Sequence, residues 1–564
     1  MGLTAALLTA GNAIDVFSSG IQVSGNNIAN ASDPNYVREA LQVSPAFPVQ
    51  QGGLIIGAGV TAQGVKQQID LFLQQRIYAA NGDASGSTAR NSIYKQLETS
   101  LQTLSNSDLS AQLADFTNQL NNVANQPEDS PNRALAVQQG EQLAQAVTNL
   151  RANLDTQRTT LNSQVDSLVT EANGLIDQIA ALNPQITSLE ASGGFNSDAG
   201  SLRDQRYADL NRLSQIIPIT VVDHGIGGVD VSLGNQTLII PGLVNHLTTV
   251  TSGDRGVTID NVTVEGSTIP ITGSKGELAG TIYGRDNIIG GFVDQLDKFS
   301  SSLINEFNKI YSQGQGEHGY TSVTGTYSVN DSTAPVDAAG LPFPPQNGSF
   351  QVQVVNTTTG IAQTTTINVD LAGVNPKTTL DDIVSQLNGV ANLNALVTAN
   401  GQLQINAANG YQVEFSHDNS GTLAGLGNNT FFTGSSSLDM GVNQAVIDDP
   451  TLFAAAQGGG PGDGTNAAQL ANIANVTPAS LGGSGIGAYY QQAVATLGQA
   501  SASENAVSQG FNGFLNSLTN QKAQLSGVNL DDETIQIMQY QRAYQSSARL
   551  ISTLDQLFTT LLQI

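Results

Sequence analysis

The side chains that most often carry acid–base chemistry or bind metals are few in this sequence and do not cluster. Four of the 564 residues are histidines and none is a cysteine. A helical zinc site typically places two histidines four positions apart, and no such pair occurs. The lack of cysteine also excludes disulfides and thiolate nucleophiles. We expect loop or surface positions for the histidines, which are His224, His246, His318 and His417.

Two other patterns could indicate chemistry. Residues 314–319, GQGEHG, match the GxGxxG pattern of dinucleotide sites, but they follow a predicted helix instead of a strand. Acidic pairs at 381–382, 448–449 and 531–532 could act in general acid–base catalysis, yet two of them stand at predicted helix starts, where capping is the simpler role. We therefore expect no catalytic, cofactor-binding or metal site, and no enzymatic activity.

Composition restricts the partners. The chain has 46 acidic and 20 basic residues, a net charge of −26. Such a charge repels nucleic acids and anionic membranes, so we expect neither as a partner. The first 17 residues lack the basic start and continuous apolar run of a Sec signal peptide, and no run of 18 apolar residues predicts a transmembrane helix. Export, if it occurs, is expected to use another route.

The elements that could organise function lie at the two ends. Residues 530–564 contain no glycine or proline, and three acidic residues at 531–533 favour a helix start. Apolar residues recur with the 3-4 spacing of a heptad, with Ser547 as a polar member. This C-terminal seam comprises Ile537, Tyr540, Tyr544, Ile551, Leu554, Phe558 and Leu561. A second stripe follows Ala543, Leu550, Leu557 and Ile564, so the helix needs more than one packing partner.

The N-terminal stretch repeats the spacing. An N-terminal seam of apolar residues is formed by Leu3, Leu7, Ile14, Phe17, Ile21 and Ile28. We expect the two terminal helices to pair through these seams, although they could instead belong to separate globular cores. An Asn-rich run and Asp33-Pro34 then end the first helix.

Between the ends, helical and β patterns alternate. Leucines and valines keep heptad spacing from 143 to 189, which predicts a rod of about 70 Å that Gly174 and Pro184 could interrupt. Period-2 patterns indicate strands at 217–275 and 350–432. A helix is expected at 379–388, capped by Thr378 or Thr379. The stretch 314–346 is expected to be a linker or long loop, and 454–485 is of low complexity.

These patterns predict an α+β multidomain fold, in which a long α-helical bundle or coiled coil built from both termini carries inserted β-rich domains. We expect four parts: a terminal coiled coil (1–65 with 525–564), a helical rod (66–216 with 276–313 and 486–524), a β-rich domain (217–275) and an outer β-rich insert with flexible flanks (314–485).

Motifs at both ends resemble the flagellar rod, hook and hook-associated proteins. Residues 21–39, IQVSGNNIANASDPNYVRE, resemble the N-terminal signature of that family, and residues 530–562 resemble its C-terminal end. The motif residues are Asn26, Asn27, Ile28, Ala29, Asn30 and Tyr36. The segments 202–217 and 276–311 resemble the branch that forms the first hook–filament junction. One departure is Asn35, where the family usually has glycine, and we expect Asn35 to adopt the same left-handed conformation.

The resemblance implies a structural protein that leaves the cell unfolded through the flagellar type III channel and assembles extracellularly, between hook and filament. It implies an inner tube of terminal helices, contacts with copies of itself, with hook protein and with the second junction protein, and a cytoplasmic chaperone for the C-terminal helix. The alternatives are another axial protein (hook or distal rod), a secreted adhesin built on the β-rich parts, or a hydrolase with a coiled-coil anchor.

Overall fold

A computed structural model describes residues 2–51, 53–103, 108–193, 196–225, 227–373, 376–460 and 462–563. The fold is α+β and multidomain, with long helices at both ends and several small antiparallel sheets between them. Within the described ranges, no helix combines the length and the apolar character that a membrane span requires. Ile564, assigned to the second stripe, lies outside those ranges.

Thirteen α-helices occur in the described residues. They are α1 (Gly2–Ala29), α2 (Leu71–Thr103), α3 (Leu109–Asn125), α4 (Ser130–Ser192), α5 (Gly200–Ile216), α6 (Glu277–Tyr283), α7 (Gly290–Tyr311), α8 (Leu380–Asn388), α9 (Thr422–Leu426), α10 (Gln444–Asp448), α11 (Thr465–Ala471), α12 (Ile486–Ser526) and α13 (Leu530–Leu562). A π-helical segment, Gly284–Ile289, joins α6 to α7.

The strands of the described residues form seven small sheets with antiparallel pairing. Near the N-terminus lie β1 (Glu39–Pro45), β2 (Val49–Gln51), β3 (Leu54–Ile56) and β4 (Val60–Gln67). The first β-rich part has β5 (Ile219–Asp223), β6 (Val229–Leu233), β7 (Gln236–Ile240), β8 (Leu243–Val244), β9 (Leu247–Asp254) and β10 (Val257–Val264). The second has β11 (Ser322–Thr324), β12 (Gly348–Asn356), β13 (Ala362–Val369), β14 (Leu393–Val397), β15 (Leu403–Ala407), β16 (Tyr411–Ser416), β17 (Phe432–Thr433) and β18 (Gly441–Val442).

The chain divides into two compact units. Unit 1 comprises Met1–Ile93, Thr159–Arg285 and Ser501–Ile564. Its largest core forms where the C-terminal half of α4 and the helix α5 pack against strands β5 to β10. The apolar positions of α4 turn inward at helical spacing, and alternate residues of the strands meet them. Core members include Val165, Ala172, Ile179, Leu210, Leu213, Val231 and Val262.

Unit 2 comprises Tyr94–Arg158 and Asp286–Ala500. Its β core lies between the sheet β13-β12-β16, the sheet β11-β15-β14 and α8. Thr379 is the N-cap of α8 in a capping box with Asp382, so the second of the two expected caps is used and the acidic residue has a capping role. A cluster of aromatic rings, with centroids 4.8 to 5.9 Å apart, packs Phe116, Phe307, Phe431, Phe432 and Phe453 together.

Helix α4 is longer and less interrupted than the sequence predicts. It runs through both Gly174 and Pro184 for 63 residues, about 95 Å at 1.5 Å per residue. Buried residues flank the proline on both sides, at Leu182 and Ile186. Tertiary packing of this face outweighs the roughly 3 kcal/mol that an interior proline costs. The helical stretch from 486 onward comprises two helices, since α12 ends at Ser526 and Asn529 caps α13, in agreement with the helix start predicted from the acidic residues at 531–533.

Segments 314–346 and 454–485 are more structured than their composition indicates. The first contributes Tyr320, Val329 and Val336 to the β core, so it is a packed long loop. The second contains α11 and two short 3₁₀ turns, with Leu470 and Ile473 buried. Glycine and proline there shape the turns, while the sparse apolar residues anchor each turn to the core.

Candidate assembly site

Helices α1 and α13 pack against each other along their length. Small residues line the centre of the α1 face: Ala10, Gly20 and Ser24 are buried. A Cβ atom on Gly20 would lie 2.8 Å from the ring of Tyr540, so the missing side chain lets the two helices approach closely. The Phe17 and Tyr540 rings lie 6.4 Å apart beside it.

The predicted seam residues flank this centre. All six residues of the N-terminal seam are half-buried: Leu3, Leu7, Ile14, Phe17, Ile21 and Ile28. In the C-terminal seam Leu554 is buried, four residues are half-buried, and Tyr544 and Leu561 are exposed. The half-buried four are Ile537, Tyr540, Ile551 and Phe558.

A second face of α13 is not covered by the described residues. Four large apolar side chains on it are 45 to 48% exposed. At 100° per residue they fall on one side of the helix, away from the face that meets α1. This uncovered face comprises Ile535, Met538, Leu550 and Leu557. Three more apolar side chains are exposed on the hairpin β2–β3 and the loop before it. They are Phe47, Leu54 and Ile55, which are 68 to 94% exposed.

The Asn-rich motif joins the end of α1 to strand β1. The buried amide of Asn27 donates from Nδ2 to the Glu39 carbonyl at 2.9 Å, and its Oδ1 accepts from the Glu39 N–H at 3.0 Å. The Tyr36 hydroxyl also donates to Asn27 Oδ1, at 2.8 Å. Asn30 donates from its side chain to the Asn26 carbonyl at 3.0 Å. The motif therefore satisfies backbone groups where the helix ends and the strand begins.

The turn before Tyr36 forms without a left-handed Asn35. Among the described residues, the non-glycine positions with positive φ are Arg255, Asn392, His417 and Asn429, so the expectation for Asn35 is wrong. Instead Asp33 Oδ1 accepts from the Asn35 N–H at 2.8 Å, and the Asp33 carbonyl accepts from the Tyr36 N–H at 3.2 Å. An Asx turn replaces the conformation that glycine would supply.

An ion pair connects this N-terminal segment to the start of α13. Arg38 Nε lies 2.6 Å from Glu533 Oε1, and the Arg38 N–H donates to the Ser526 carbonyl at 3.0 Å. Glu533 is fully buried in the first turn of α13, where the helix dipole also favours a negative charge.

Helix α5 contributes buried charges that the sequence analysis did not assign to a site. Asp204 accepts from the Val37 N–H at 3.2 Å and from Gln67 Nε2 at 2.8 Å, which ties α5 to the segments before β1 and at the end of β4. Burial raises the pKa of Asp204 to about 7. Arg203 forms a two-point ion pair with Glu190 at 2.6 and 2.9 Å.

The signal for this cluster was present in the sequence. Arg203 and Arg206 precede Leu210 and Leu213 at helical intervals of three and four residues. The two arginines therefore fall on the same buried face of α5 as the two leucines. Arg206 is fully buried and donates to the Asn183 side chain at 3.0 Å.

The other candidate residues form local structure. His224, His246 and His318 each lie 2.8 to 3.2 Å from a carboxylate oxygen, and no group of three metal-ligating side chains occurs in the described ranges. A Cβ on Gly316 would lie 2.7 Å from the Thr451 carbonyl oxygen, so the backbone at residue 451 packs directly against this glycine of the GxGxxG pattern. Asp449 accepts from the Thr451 N–H, a capping contact.

Comparison with known families identifies the class. Residues 94–324 match the family described as Flagellar hook-associated protein FlgK helical domain, and residues 522–564 match Flagellar basal body rod FlgEFG protein C-terminal. The second match covers all of α13 and the end of α12. The chain is a flagellar axial protein of the rod, hook and hook-associated class.

Relatives at nearly full length define the branch. The chain is 24% identical to Flagellar hook-associated protein 1 of Escherichia coli over 563 residues, 98% of each chain. It is 23% identical to the protein of that name from Salmonella typhimurium over 555 residues, 96% of each chain. The flagellar hook junction protein FlgK from Burkholderia pseudomallei shares 16% identity over 80% of this chain and 100% of that one, with a TM-score of 0.49. The chain is thus similar over nearly its full length to flagellar hook-associated protein 1 and carries the FlgK helical domain at residues 94–324.

Proposed function

We propose that this protein is a structural component that self-assembles at the hook–filament junction and adapts the hook to the filament. The observation that carries the proposal is the pairing of α1 with α13, which leaves the uncovered face of α13 in solvent. Fully burying a large apolar side chain is worth roughly 1.5 to 3 kcal/mol. Four such side chains on one helix favour association with neighbouring subunits over exposure to water.

In this proposal the two terminal seams and the Asn-rich motif belong to an inner tube, 1–65 with 525–564. The helical parts, 66–216 with 276–313 and 486–524, form the next shell. The β-rich parts, 217–275 and 314–485, face outward. Copies of the chain contact each other, hook protein contacts one side of the assembly, and the second junction protein contacts the other.

The route to the assembly follows from the proposed position. The chain is secreted unfolded through the flagellar type III channel and folds outside the cell. Helix α13, with its apolar surface, needs a cytoplasmic chaperone before export. The protein has no enzymatic activity in this scheme, and its contribution to motility is mechanical.

Labelled antibody against this chain tests the location in purified hook–filament preparations. The label is expected at the junction between hook and filament. Label along the hook, or on the cell surface, would contradict the proposal.

The double substitution Leu550→Ser and Leu557→Ser tests the uncovered face, with the variant chain expressed in the cells that supply the hook–filament preparations. The control is Ser552→Ala with Thr559→Ala, which changes exposed polar positions of the same helix. The leucine variant is expected to leave monomer stability unchanged and to remove the chain from the junction, whereas the control keeps it there. Normal assembly of the leucine variant would contradict the proposed role of this face.

A further inference from the structure

A cavity of about 280 Å³ lies in unit 1, where the turn after α1 meets the end of α12. Its lining includes Asn30, Asp33 and Tyr36 on one side and Lys522 and Ser526 on the other. A water molecule occupies about 30 Å³ in the liquid, so the cavity has room for a polar side chain.

Lys522 differs from the other lysines of the described residues. Lys66, Lys275, Lys309 and Lys377 each pair with a carboxylate at 2.6 to 3.1 Å. Lys95 and Lys298 are exposed and can be solvated by water. Lys522 is half-buried, and the described part of the chain gives its ammonium neither an ion pair nor a hydrogen bond.

A second group in the cavity also lacks a partner. Ser526 is only 3% exposed, and its hydroxyl makes no hydrogen bond to the described residues. Neither Ser526 Oγ nor Lys522 Nζ is among the buried polar atoms that lack a hydrogen-bond partner, so both reach solvent in the cavity and are open to a ligand there. The two groups are four positions apart on α12 and therefore lie on the same face of that helix.

Lys522 is the one cation among the described residues that line the cavity, and Asp33 is the one anion. Burial lowers the pKa of Lys522, and the negative charge of Asp204 only partly offsets that effect. Asp204 is already engaged by Val37 and Gln67, and Tyr36 donates its hydroxyl to Asn27. Asp33 on the opposite wall is exposed and uses one oxygen in its turn. A carboxylate could accept from Lys522 with one oxygen and from Ser526 with the other.

We propose that this cavity receives an aspartate or glutamate side chain of a second copy of this chain, whose carboxylate pairs with Lys522 and Ser526. The inference rests on the proposed self-assembly. The cavity lies next to the end of α1, and in the proposed assembly the paired helices α1 and α13 contact neighbouring copies. The chain also has 26 more acidic than basic residues, 46 against 20, so each copy presents carboxylates that no cation of its own can pair.

Zero-length carbodiimide cross-linking of purified hook–filament assemblies tests this contact. The reagent joins an amine and a carboxylate in contact as an amide, with loss of the carboxylate oxygen. Peptide mass spectrometry is expected to find Lys522 joined to an aspartate or glutamate of this sequence in covalent dimers, and not in the free monomer. A link to Asp33 that also forms in the monomer, a link to a different protein, or no link at Lys522 would each overturn the proposal.

Two substitutions separate charge from reactivity. Lys522→Arg keeps the positive charge but cannot form the amide, so it is expected to assemble normally and lose the covalent dimer. Lys522→Met removes the charge-assisted hydrogen bond and should lower the amount of chain at the junction about tenfold. The matched control Lys298→Met removes an exposed lysine and should change neither result.

The proposed function and the proposed Lys522 contact predict distinguishable outcomes. If the wild-type chain is missing from the junction, the proposed function is wrong. If it is present while Lys522 stays unlinked or Lys522→Met assembles as well as wild type, only this contact is wrong. Unfolding of each purified monomer shows that the variants keep the native fold.

Discussion

Arg38 and Glu533, 495 positions apart in the sequence, form an ion pair with Nε and Oε1 2.6 Å apart. Glu533 is fully buried, whereas the Arg38 side chain is 23% exposed. This ion pair connects the segment before β1 to the first turn of α13. The covalent chain between them passes through most of both units, so no local interaction could substitute for this contact.

Arg38→Met is expected to destabilise unit 1, because it leaves the Glu533 carboxylate buried without a cation. Breaking such a pair costs roughly 3 kcal/mol. Urea unfolding followed by circular dichroism measures the loss. Arg38→Met combined with Glu533→Met should recover part of it, and Arg549→Met, at an exposed position of α13, should change stability by less than about 0.5 kcal/mol. Equal stability of Arg38→Met and wild type would contradict the assigned role.

Asn27→Ala should destabilise the junction between α1 and β1 by about 1 to 3 kcal/mol, because both backbone groups of Glu39 lose their buried partner. Asn26→Ala is the matched control, since Asn26 is exposed, its amide donates over long distances of 3.3 and 3.4 Å, and its Oδ1 accepts only from the exposed contact with the Asn30 side chain at 3.0 Å. Thermal unfolding of both purified variants gives the comparison. A larger loss for Asn26→Ala than for Asn27→Ala would refute the assignment.

Gly20→Ala and Gly25→Ala should have opposite effects on the terminal helix pair. A Cβ at position 20 would lie 2.8 Å from the Tyr540 ring, so the helices must separate or the ring must move. At position 25 no atom lies within 4 Å, and alanine gains up to about 1 kcal/mol of helix propensity. Amide exchange in α1 is expected to accelerate in Gly20→Ala and to slow in Gly25→Ala. Faster exchange in both would show that close approach at Gly20 is not the deciding feature.

Asp204 predicts a pH dependence of stability. Its pKa is about 7 in the folded protein, raised by burial first and then by Glu39 and Asp33, and about 3.9 when unfolded. Between pH 4 and pH 7 the folded state holds a proton that the unfolded state releases. The contribution of Asp204 therefore falls as pH rises, by at most about 1.4 kcal/mol per pH unit.

The stability difference between wild type and Asp204→Asn isolates this contribution from other groups whose pKa is raised by burial, such as Glu39. Urea unfolding at pH 4, 5, 6 and 7 should show wild type losing stability relative to the variant over that window. A constant difference would mean that the Asp204 carboxyl titrates alike in both states.

The sequence by itself determined the elements whose cause is local. Heptad spacing predicted α1 and α13, and acidic residues predicted the start of α13, because helix periodicity and capping depend on neighbours within a few positions. The same holds for helix α8, whose cap the sequence narrowed to Thr378 or Thr379, and for the β-rich parts with alternating patterns. The terminal motifs also indicated the family, and the seams were identified as candidate packing positions.

Tertiary structure alone decided which local preferences prevail and which groups meet. Packing on both sides of Pro184 keeps α4 continuous, and an Asx turn by Asp33 makes a left-handed Asn35 unnecessary. The partners of Asn27 and Arg38, and the cavity that leaves Lys522 unpaired, depend on contacts between segments far apart in the chain. Side-chain spacing carries no information about those distances, because long-range contacts are set by how whole elements pack.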